Sequence, residues 1–288
     1  MTDTMSLKPD LGNYGVWTAG PPTPEQAVEI ERLGYGAVWV GGSPAADLAF
    51  VEPILAATST LQLATGIVNI WTAAAQPVAE SYHRIEAAYP GRFLLGIGVG
   101  HPEVIPEYHT PYQALVNYLD ALDGARVPTS RRVVAALGPR VLKLAAERSA
   151  GAHPYLTTPE HTARARELVG PSVLLAPEHK VVLSTPEIGV DEARTLGRDA
   201  VGLYLGLSNY VNNWRRLGFT EKDVRPPGSD RLIDAVVAHG TPDAVAARLA
   251  EHLQAGADQV TIQVLGGWKR LLPTLTELAE PLGLTPHG

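Results

Sequence analysis

The sequence predicts an α/β fold, a single (β/α)8 barrel of the TIM type. Eight short runs of β-branched and aliphatic residues, bounded by glycine and proline, alternate with amphipathic stretches along nearly the whole chain, which is the pattern of β/α units around a parallel sheet. Several runs are apolar without interruption, as expected of strands covered on both faces. No stretch resembles an interdomain linker, so one domain is predicted for residues 1–288, with residues 1–10 loosely ordered.

Each of the eight runs is assigned to one strand, and eight parallel strands suggest closure into a barrel. The predicted strands are Tyr14–Thr18, Ala37–Gly41, Leu61–Val68, Phe93–Val99, Val133–Leu137, Ala152–Leu156, His179–Ser184 and Gln259–Leu265.

A motif of threonine, proline and an acidic residue marks four expected helix starts. Threonine accepts a hydrogen bond at the N-cap, proline needs no donor at the first helical position, and the acid meets the positive end of the helix dipole. The four sites are Thr23-Pro24-Glu25, Thr158-Pro159-Glu160, Thr185-Pro186-Glu187 and Thr241-Pro242-Asp243. Glycines typical of helix ends follow three amphipathic stretches, at Gly34, Gly218 and Gly256.

Two segments interrupt the regular spacing and are predicted to be helical insertions. The first, residues 102–127, follows the fourth strand and has a helical pattern over Tyr112–Leu122. The second, residues 200–240, precedes the eighth strand. It indicates a buried helix interrupted near Ser208-Asn209, followed by a loop rich in proline and glycine.

Composition excludes several classes of protein. The chain has no cysteine, so disulfide scaffolds and cysteine-ligated metal centres are impossible, and the scattered histidines predict no metal site. A net charge of -7 repels a phosphate backbone, so nucleic acid is not an expected partner. No apolar run approaches the ~18 residues of a membrane span, and the first residues lack a signal-peptide pattern. We therefore expect a soluble, cytoplasmic protein that acts on a small molecule.

Three glycines, Gly96, Gly98 and Gly100, lie on one face of the predicted fourth strand. They resemble a dinucleotide-binding motif, but His101 stands where that motif needs its last glycine. Two interpretations stay open, a bare face that a ligand approaches or tight packing inside the barrel. His101 follows the strand end and is the candidate catalytic residue, since an imidazole there can act as a general acid; a structural histidine is the alternative.

The helix after the fifth strand begins differently from the four described above. Gly138-Pro139-Arg140 opens it, and Lys143 follows. A cation at the positive end of a helix costs about 0.3–1 kcal/mol unless an anion sits there. Free backbone N–H groups and an arginine together can hold a phosphate. We therefore predict an anion site at Gly138 and Arg140, with a solvated surface arginine as the alternative.

The third strand is predicted to end in a bulge. Glycine within Thr65-Gly66-Ile67 is typical of a bulge, and the chain then carries Asn69 and Trp71 onto the face where barrel sites lie. Trp17, near the end of the first strand, and Trp71 are candidates to flank a flat substrate, or else core residues of the rim.

Several segments together resemble the luciferase-like monooxygenase superfamily, and within it the branch of probable F420-dependent oxidoreductases. They are WVGGSP, LATGIVNIW, GRFLLGIGVGHPE, ALGPRVLKLAAERSAGAHPYLTTPEHT, LAPEHKVVL and GLYLGLSNYVNNWRRLGF. The resemblance runs from about Tyr14 to Leu282 and implies an (α/β)8 barrel that is usually a homodimer. It also implies a flavin or 8-hydroxy-5-deazaflavin ring at the carboxyl ends of the strands.

The resemblance implies roles for individual residues. Gly66-Ile67 corresponds to a non-proline cis peptide that supports the back of the ring, and Asn69 is counted with the cofactor contacts. Leu137, Gly138 and Pro139 correspond to the backbone segment that holds the cofactor phosphate, which agrees with the anion site predicted at Gly138 and Arg140.

Further along the chain, the segment that includes Tyr155 and Thr157 corresponds to neighbouring phosphate or tail contacts. His101 aligns with an acidic residue close to the reacting carbon. After the second strand, Gly41 and Gly42 are counted as cofactor contacts, but they and Ser43 replace an Asp-His pair frequent in related deazaflavin dehydrogenases. That departure disfavours oxidation of secondary alcohols or sugar phosphates, and favours a reductase or a substrate whose proton comes from His101 or water.

Three functions follow, in order of preference. The first is an F420-dependent oxidoreductase that transfers a hydride between the deazaflavin C5 and a small organic substrate. The second is an FMN-dependent monooxygenase of the same superfamily. The third is a non-redox barrel that binds a phosphorylated metabolite, although no strand-end lysine or paired carboxylates support it.

Overall fold

The computed structural model describes residues 8–100 and 110–286, and they form a barrel of parallel strands surrounded by helices. The predictions for the first seven residues, for His101 and for the start of the first insertion fall outside the described residues. The strands are β1 (Tyr14–Thr18), β2 (Ala37–Val40), β3 (Gln62–Thr65), β4 (Val68–Asn69), β5 (Phe93–Gly98), β6 (Arg132–Val134), β7 (Gly151–Ala152), β8 (Leu174–Leu175), β9 (Glu178–Leu183), β10 (Val237–Gly240) and β11 (Val260–Val264).

All strand pairs are parallel, in the order β10-β9-β11-β1-β2-β3-β5-β6-β7-β8, with β4 paired to β5. The segment formed by β8 and β9 closes the sheet. On its β7 side, the N–H groups of Leu174, Ala176 and Glu178 donate to carbonyl groups at 2.8–3.0 Å. On its β11 side, the carbonyls of Leu175 and Pro177 accept from N–H groups at 2.9 Å. The predicted α/β barrel is therefore confirmed, with eleven strands assigned in the described residues where eight were predicted.

Twelve helices are assigned within the described residues, and they cover the outside of the sheet or cross its carboxyl end. They are α1 (Pro24–Arg32), α2 (Val51–Ala57), α3 (Ala75–Ala88), α4 (Pro111–Gly124), α5 (Pro139–Arg148), α6 (Pro159–Val169), α7 (Val190–Val201), α8 (Ser208–Arg216), α9 (Glu221–Val224), α10 (Asp230–Val236), α11 (Pro242–Gln254) and α12 (Trp268–Ala279). A 3-10 turn over Gly202–Gly206 precedes α8, so the second insertion is helical and interrupted where predicted.

Four strands and one helix start differ from the sequence predictions. β6 ends at Val134 and β7 at Ala152, before the predicted ends at Leu137 and Leu156. β8 and β10 were not predicted, because β8 has two residues and β10 is a short edge strand inside the helical insertion. Thr185 does not cap a helix. Its hydroxyl accepts from the N–H of Glu187 at 3.3 Å and its backbone pairs with Ile188, so the motif forms a turn and α7 begins only at Val190.

The glycine face of β5 packs against protein. A β-carbon at Gly96 would lie 1.8 Å from the carbonyl oxygen of Thr65, and one at Gly98 would lie 3.0 Å from the side chain of Ile67. Glycine is needed here because the end of β3 and the residues that follow it pack directly against β5. Of the two interpretations left open, packing inside the barrel holds for Gly96 and Gly98, while Gly100 faces a cavity.

Candidate active site

A cavity of about 540 Å³ opens at the carboxyl ends of the strands, where barrel enzymes carry their sites. Its wall is mostly apolar and aromatic. The lining residues are Trp17, Gly42, Ser43, Gly66, Ile67, Asn69, Val99, Gly100, Pro111, Tyr112, Leu115, Ala135, Ala136, Leu137, Gly138, Arg140, Val141, His153, Tyr155, Tyr204, Asn209, Tyr210, Asn212 and Arg216.

The bulge after β3 forms part of this wall. The Gly66-Ile67 peptide bond is cis, as the family resemblance implied. The indole N–H of Trp17 donates to the carbonyl oxygen of Gly66 at 3.3 Å. A β-carbon at Gly66 would lie 2.9 Å from Nε1 of Trp17 and 3.2 Å from Nε2 of His153, so only glycine fits between the two rings.

His153 lies beneath the bulge and is buried. Its ring stacks on Trp39 with 4.3 Å between centroids, and Nδ1 lies 2.7 Å from the carbonyl oxygen of Ala176. Because a carbonyl oxygen only accepts, Nδ1 carries the proton and Nε2 presents a lone pair, which has no partner among the described residues. Burial lowers the pKa of His153 to about 4, so the ring is neutral at neutral pH.

The start of α5 forms a second part of the wall. Gly138 is its N-cap and provides no side-chain cap, and Pro139 occupies the first helical position. The guanidinium of Arg140 lies 3.6 Å above the ring of Tyr112. A β-carbon at Gly138 would lie 3.9 Å from Nη1 of Arg216, so two arginines flank this open helix start.

A buried polar network lies behind Tyr155. The ammonium of Lys180 lies 3.0 Å from Oε1 of Glu178, 2.9 Å from Oε1 of Gln263 and 3.9 Å from the centroid of the Tyr155 ring. Burial lowers the pKa of Lys180 and raises that of Glu178, and the contact between their charges opposes both shifts. Burial also raises the pKa of the Tyr155 hydroxyl, which therefore stays protonated at neutral pH.

Aromatic rings continue from Tyr155 across the cavity wall. Its ring centroid is 5.1 Å from that of Trp17, 5.5 Å from that of Tyr204 and 6.4 Å from that of Tyr210. Tyr204 and Tyr210 are 4.8 Å apart in an edge-to-face arrangement, the geometry that aromatic pairs prefer. This part of the cavity suits a flat apolar ligand.

Most of the predicted site residues come together at the cavity. Trp17, Gly42, Gly66, Ile67, Asn69, Leu137, Gly138, Arg140 and Tyr155 all line it. Their individual roles in binding or catalysis stay predictions.

Four predicted residues lie near the cavity and do not line it. A β-carbon at Gly41 would lie 2.2 Å from the ring of Trp17, so the ring packs directly against the backbone of Gly41 and leaves no room for a side chain. Trp71 turns its indole N–H to the carbonyl of Val99 at 2.8 Å. Thr157 is fully buried, and Pro139 is exposed at the start of α5.

Several lining residues were missed at the sequence level. His153 was grouped with the scattered histidines, although it follows β7 directly and so stands at a strand end. Asn209, Asn212 and Arg216 lie on one face of α8 at spacings of three and four residues. The sequence shows that these three residues share one face of a helix, but nothing in it indicates that this helix covers the barrel mouth.

No cluster of three or more His, Asp or Glu side chains placed to hold a metal ion occurs in the described part of the chain. Across residues 8–100 and 110–286, no helix combines the length and apolar character that crossing a bilayer requires.

Comparison with known proteins supports the resemblance. A family model described as luciferase-like monooxygenase matches residues 13–170. No curated protein matches the chain.

Solved structures with the same fold differ in cofactor. An F420-dependent secondary alcohol dehydrogenase in complex with an F420-acetone adduct is 14% identical, with a TM-score of 0.71 over 95% of this chain and 98% of its own. The oxygenating constituent of 3,6-diketocamphane monooxygenase from Pseudomonas putida, in complex with FMN, is 14% identical, with a TM-score of 0.64 over 96% and 98%. MsnO8 is 19% identical, with a TM-score of 0.70 over 96% and 100%. At these identities the likeness establishes the fold.

Proposed function

Because the chain belongs to the luciferase-like monooxygenase family, we propose that it is an oxidoreductase that uses coenzyme F420 and acts on a small organic substrate. The observation that carries this proposal is the cavity itself. It combines an apolar aromatic wall with an open helix start flanked by Arg140 and Arg216. Such a site can hold a flat ring and its phosphate in one place.

The residues present fit a tricyclic ring. The Gly66-Ile67 bulge offers a backbone surface held from behind by Trp17 and His153. In the described part of the wall no lysine or carboxylate interrupts the apolar surface. A flat ring placed against the bulge would therefore bury its face without leaving a charged side chain unpaired.

The start of α5 fits the phosphate. Its first backbone N–H groups receive no side-chain cap, and Arg140 and Arg216 add two positive charges beside them. A phosphate there would accept charge-assisted hydrogen bonds and meet the positive end of the helix dipole. His161, whose Nε2 lies 2.9 Å from the carbonyl oxygen of Leu137, holds the segment that leads into this helix.

When bound, F420 would supply a hydride through C5 of its ring, and the protein would supply position and electrostatics. The described part of the wall carries no carboxylate that could serve as a strong base. The lack of a carboxylate in that part of the wall supports reduction of a substrate over oxidation of an alcohol. We propose His101 as the proton donor, as its position after the fourth barrel strand predicts, and a homodimer as the assembly.

The cofactor is tested by absorbance titration of the purified protein with F420 and, separately, with FMN. We expect saturable binding of F420 and weaker binding of FMN. Tight binding of FMN without affinity for F420 would replace the proposal with FMN-dependent monooxygenation, because a deazaflavin does not readily activate oxygen. Binding of neither would leave a non-redox barrel.

A further inference from the structure

The hydroxyl of Tyr155 has a fixed hydrogen-bond direction, which is set by residues outside the cavity wall. Oε1 of Gln263 lies 2.9 Å from Nζ of Lys180 and 2.9 Å from Oη of Tyr155. The ammonium of Lys180 is a donor only, so the Gln263 atom that faces it must be the carbonyl oxygen. The same oxygen then accepts the proton of the Tyr155 hydroxyl.

The buried ion pair prevents the opposite arrangement. Lys180 and Glu178 are both essentially inaccessible to solvent, at 1% and 0% exposure, and Glu178 also accepts from the N–H of Leu156 at 2.9 Å. If the amide of Gln263 turned over, its NH2 group would face the ammonium, and the buried ammonium would lose one of its acceptors. The amide orientation, and with it the direction of the Tyr155 proton, is therefore determined.

As a result, Tyr155 offers the cavity lone pairs and no proton. One lone pair accepts from the hydroxyl of Tyr204, but the two oxygen atoms are 3.4 Å apart, whereas O–H···O bonds usually measure about 2.5–3.0 Å. A hydroxyl oxygen has two acceptor positions. A ligand hydroxyl can thus bind beside the Tyr204 hydroxyl or take its place.

The surroundings of this oxygen restrict the ligand further. The rings of Trp17, Tyr204 and Tyr210 lie within 6.4 Å of the Tyr155 ring, centroid to centroid, and the described cavity wall contains no carboxylate. An aromatic ligand can bury its ring against them, whereas a cationic ligand would find no counter-charge in that wall.

We propose that Tyr155 Oη accepts a hydrogen bond from the substrate, and that the substrate is an aromatic molecule that bears a hydroxyl group and no positive charge. This proposal rests on the proposed function, because it names the substrate class of the same site. Tyr155 contacts the substrate, whereas Gln263, Lys180 and Glu178 are positioning residues that orient its hydroxyl.

The test compares two probes of the same ring, 2-naphthol and 2-methoxynaphthalene, by calorimetric titration of the full-length protein, alone and with saturating F420. Only 2-naphthol can donate to Tyr155. We expect the wild type to bind it about fivefold more tightly, the effect of one neutral hydrogen bond. Tyr155→Phe, which keeps the ring above Lys180, should reduce the ratio of the two affinities to about one. Tyr204→Phe should keep the preference, because the Tyr155 acceptor remains.

Equal affinities of the wild type for both probes would overturn the proposal, as would an unchanged preference in a Tyr155→Phe variant whose thermal midpoint shows that it is folded. The outcome is separable from that of the cofactor titration. A protein that binds neither F420 nor FMN, but prefers 2-naphthol through Tyr155, would overturn the redox assignment and support the acceptor role of Tyr155.

Discussion

Helices α1 and α5 both begin with proline, but their first backbone N–H groups are satisfied differently. At α1, Thr23 accepts from the N–H of Gln26 at 3.2 Å, the Gln26 side chain accepts from the N–H of Thr23 at 2.9 Å, and Glu25 lies in the first turn. At α5, Gly138 provides no cap and the first turn has no acid. A helix start that is satisfied by its own side chains has little use for an anion, whereas the start of α5, which has a cation and no acid in its first turn, can accept one.

The largest effect that we expect is on stability in acid, and it arises from histidines whose pKa burial lowers, among them His179 and His252. Burial lowers the pKa of His161, which holds Leu137 ahead of α5, and lowers that of His153 to about 4. Above pH 6.5 both rings are neutral in the folded and unfolded chain. As the pH falls below 6.5, only the unfolded chain takes up these protons, so the free energy of unfolding decreases until the pH reaches the folded value.

For His153 this loss amounts to roughly 3 kcal/mol between pH 6.5 and 4. Urea unfolding at pH 7.5, 6, 5 and 4.5 measures it. His153→Phe removes that titrating group, so its stability should fall less steeply with pH. An equally steep loss in this variant would show that His153 is not the source.

The second expected effect is on cofactor affinity and tests the charge at α5 directly. Arg140→Glu replaces a cation beside the open helix start with an anion, and should weaken F420 binding by about ten- to a hundredfold. Lys143→Glu makes the same change in charge at an exposed residue outside the cavity wall, and should weaken binding by about threefold or less. Absorbance titration measures both. Equal losses in the two variants would indicate general electrostatic attraction in place of a local phosphate contact.

The same comparison shows how much the sequence could predict. Gly138, Arg140 and Lys143 marked the start of α5 as unusual. They could be recognised in the sequence because the capping of a helix depends on residues that are close together in the chain. Arg216 could not be found in this way, since it approaches Gly138 from α8, more than seventy residues further along the chain. The barrel followed from apolar runs alone. The helix start predicted at Thr185 is wrong because its hydroxyl accepts a hydrogen bond within its own turn. The motif does not show which of the two local structures, a turn or a helix cap, will form.

His153 and the Lys180 network escaped prediction for a related reason. A lysine and a glutamate two residues apart in a strand point to the same face, but sequence does not tell whether that face is solvent or the inside of a barrel. Here it is the interior, and Gln263 of another strand completes the network. The strands themselves were predictable, although β6 ends at Val134 and β7 at Ala152, before the predicted Leu137 and Leu156. The polar contacts between distant strands were not predictable.

The smallest effect that we expect is on stability, and it comes from a substitution that gives α5 a side-chain cap like the one at α1. Gly138→Ser has room for its side chain, since the nearest atom to a β-carbon there is Nη1 of Arg216 at 3.9 Å, and the backbone of Gly138 is already extended like that of Thr23. Its hydroxyl should cap the helix and raise the free energy of unfolding by a few tenths of a kcal/mol. It should also compete with the cofactor phosphate for the same N–H groups and weaken F420 binding severalfold.

Thr23→Ala is the matched change at α1, and should lower stability by about 1 kcal/mol without altering cofactor affinity. Urea unfolding and absorbance titration of both variants give the two quantities. Gly138→Ser with unchanged F420 affinity would mean that the N–H groups of α5 do not bind the phosphate, and that Arg140 and Arg216 hold it by charge alone.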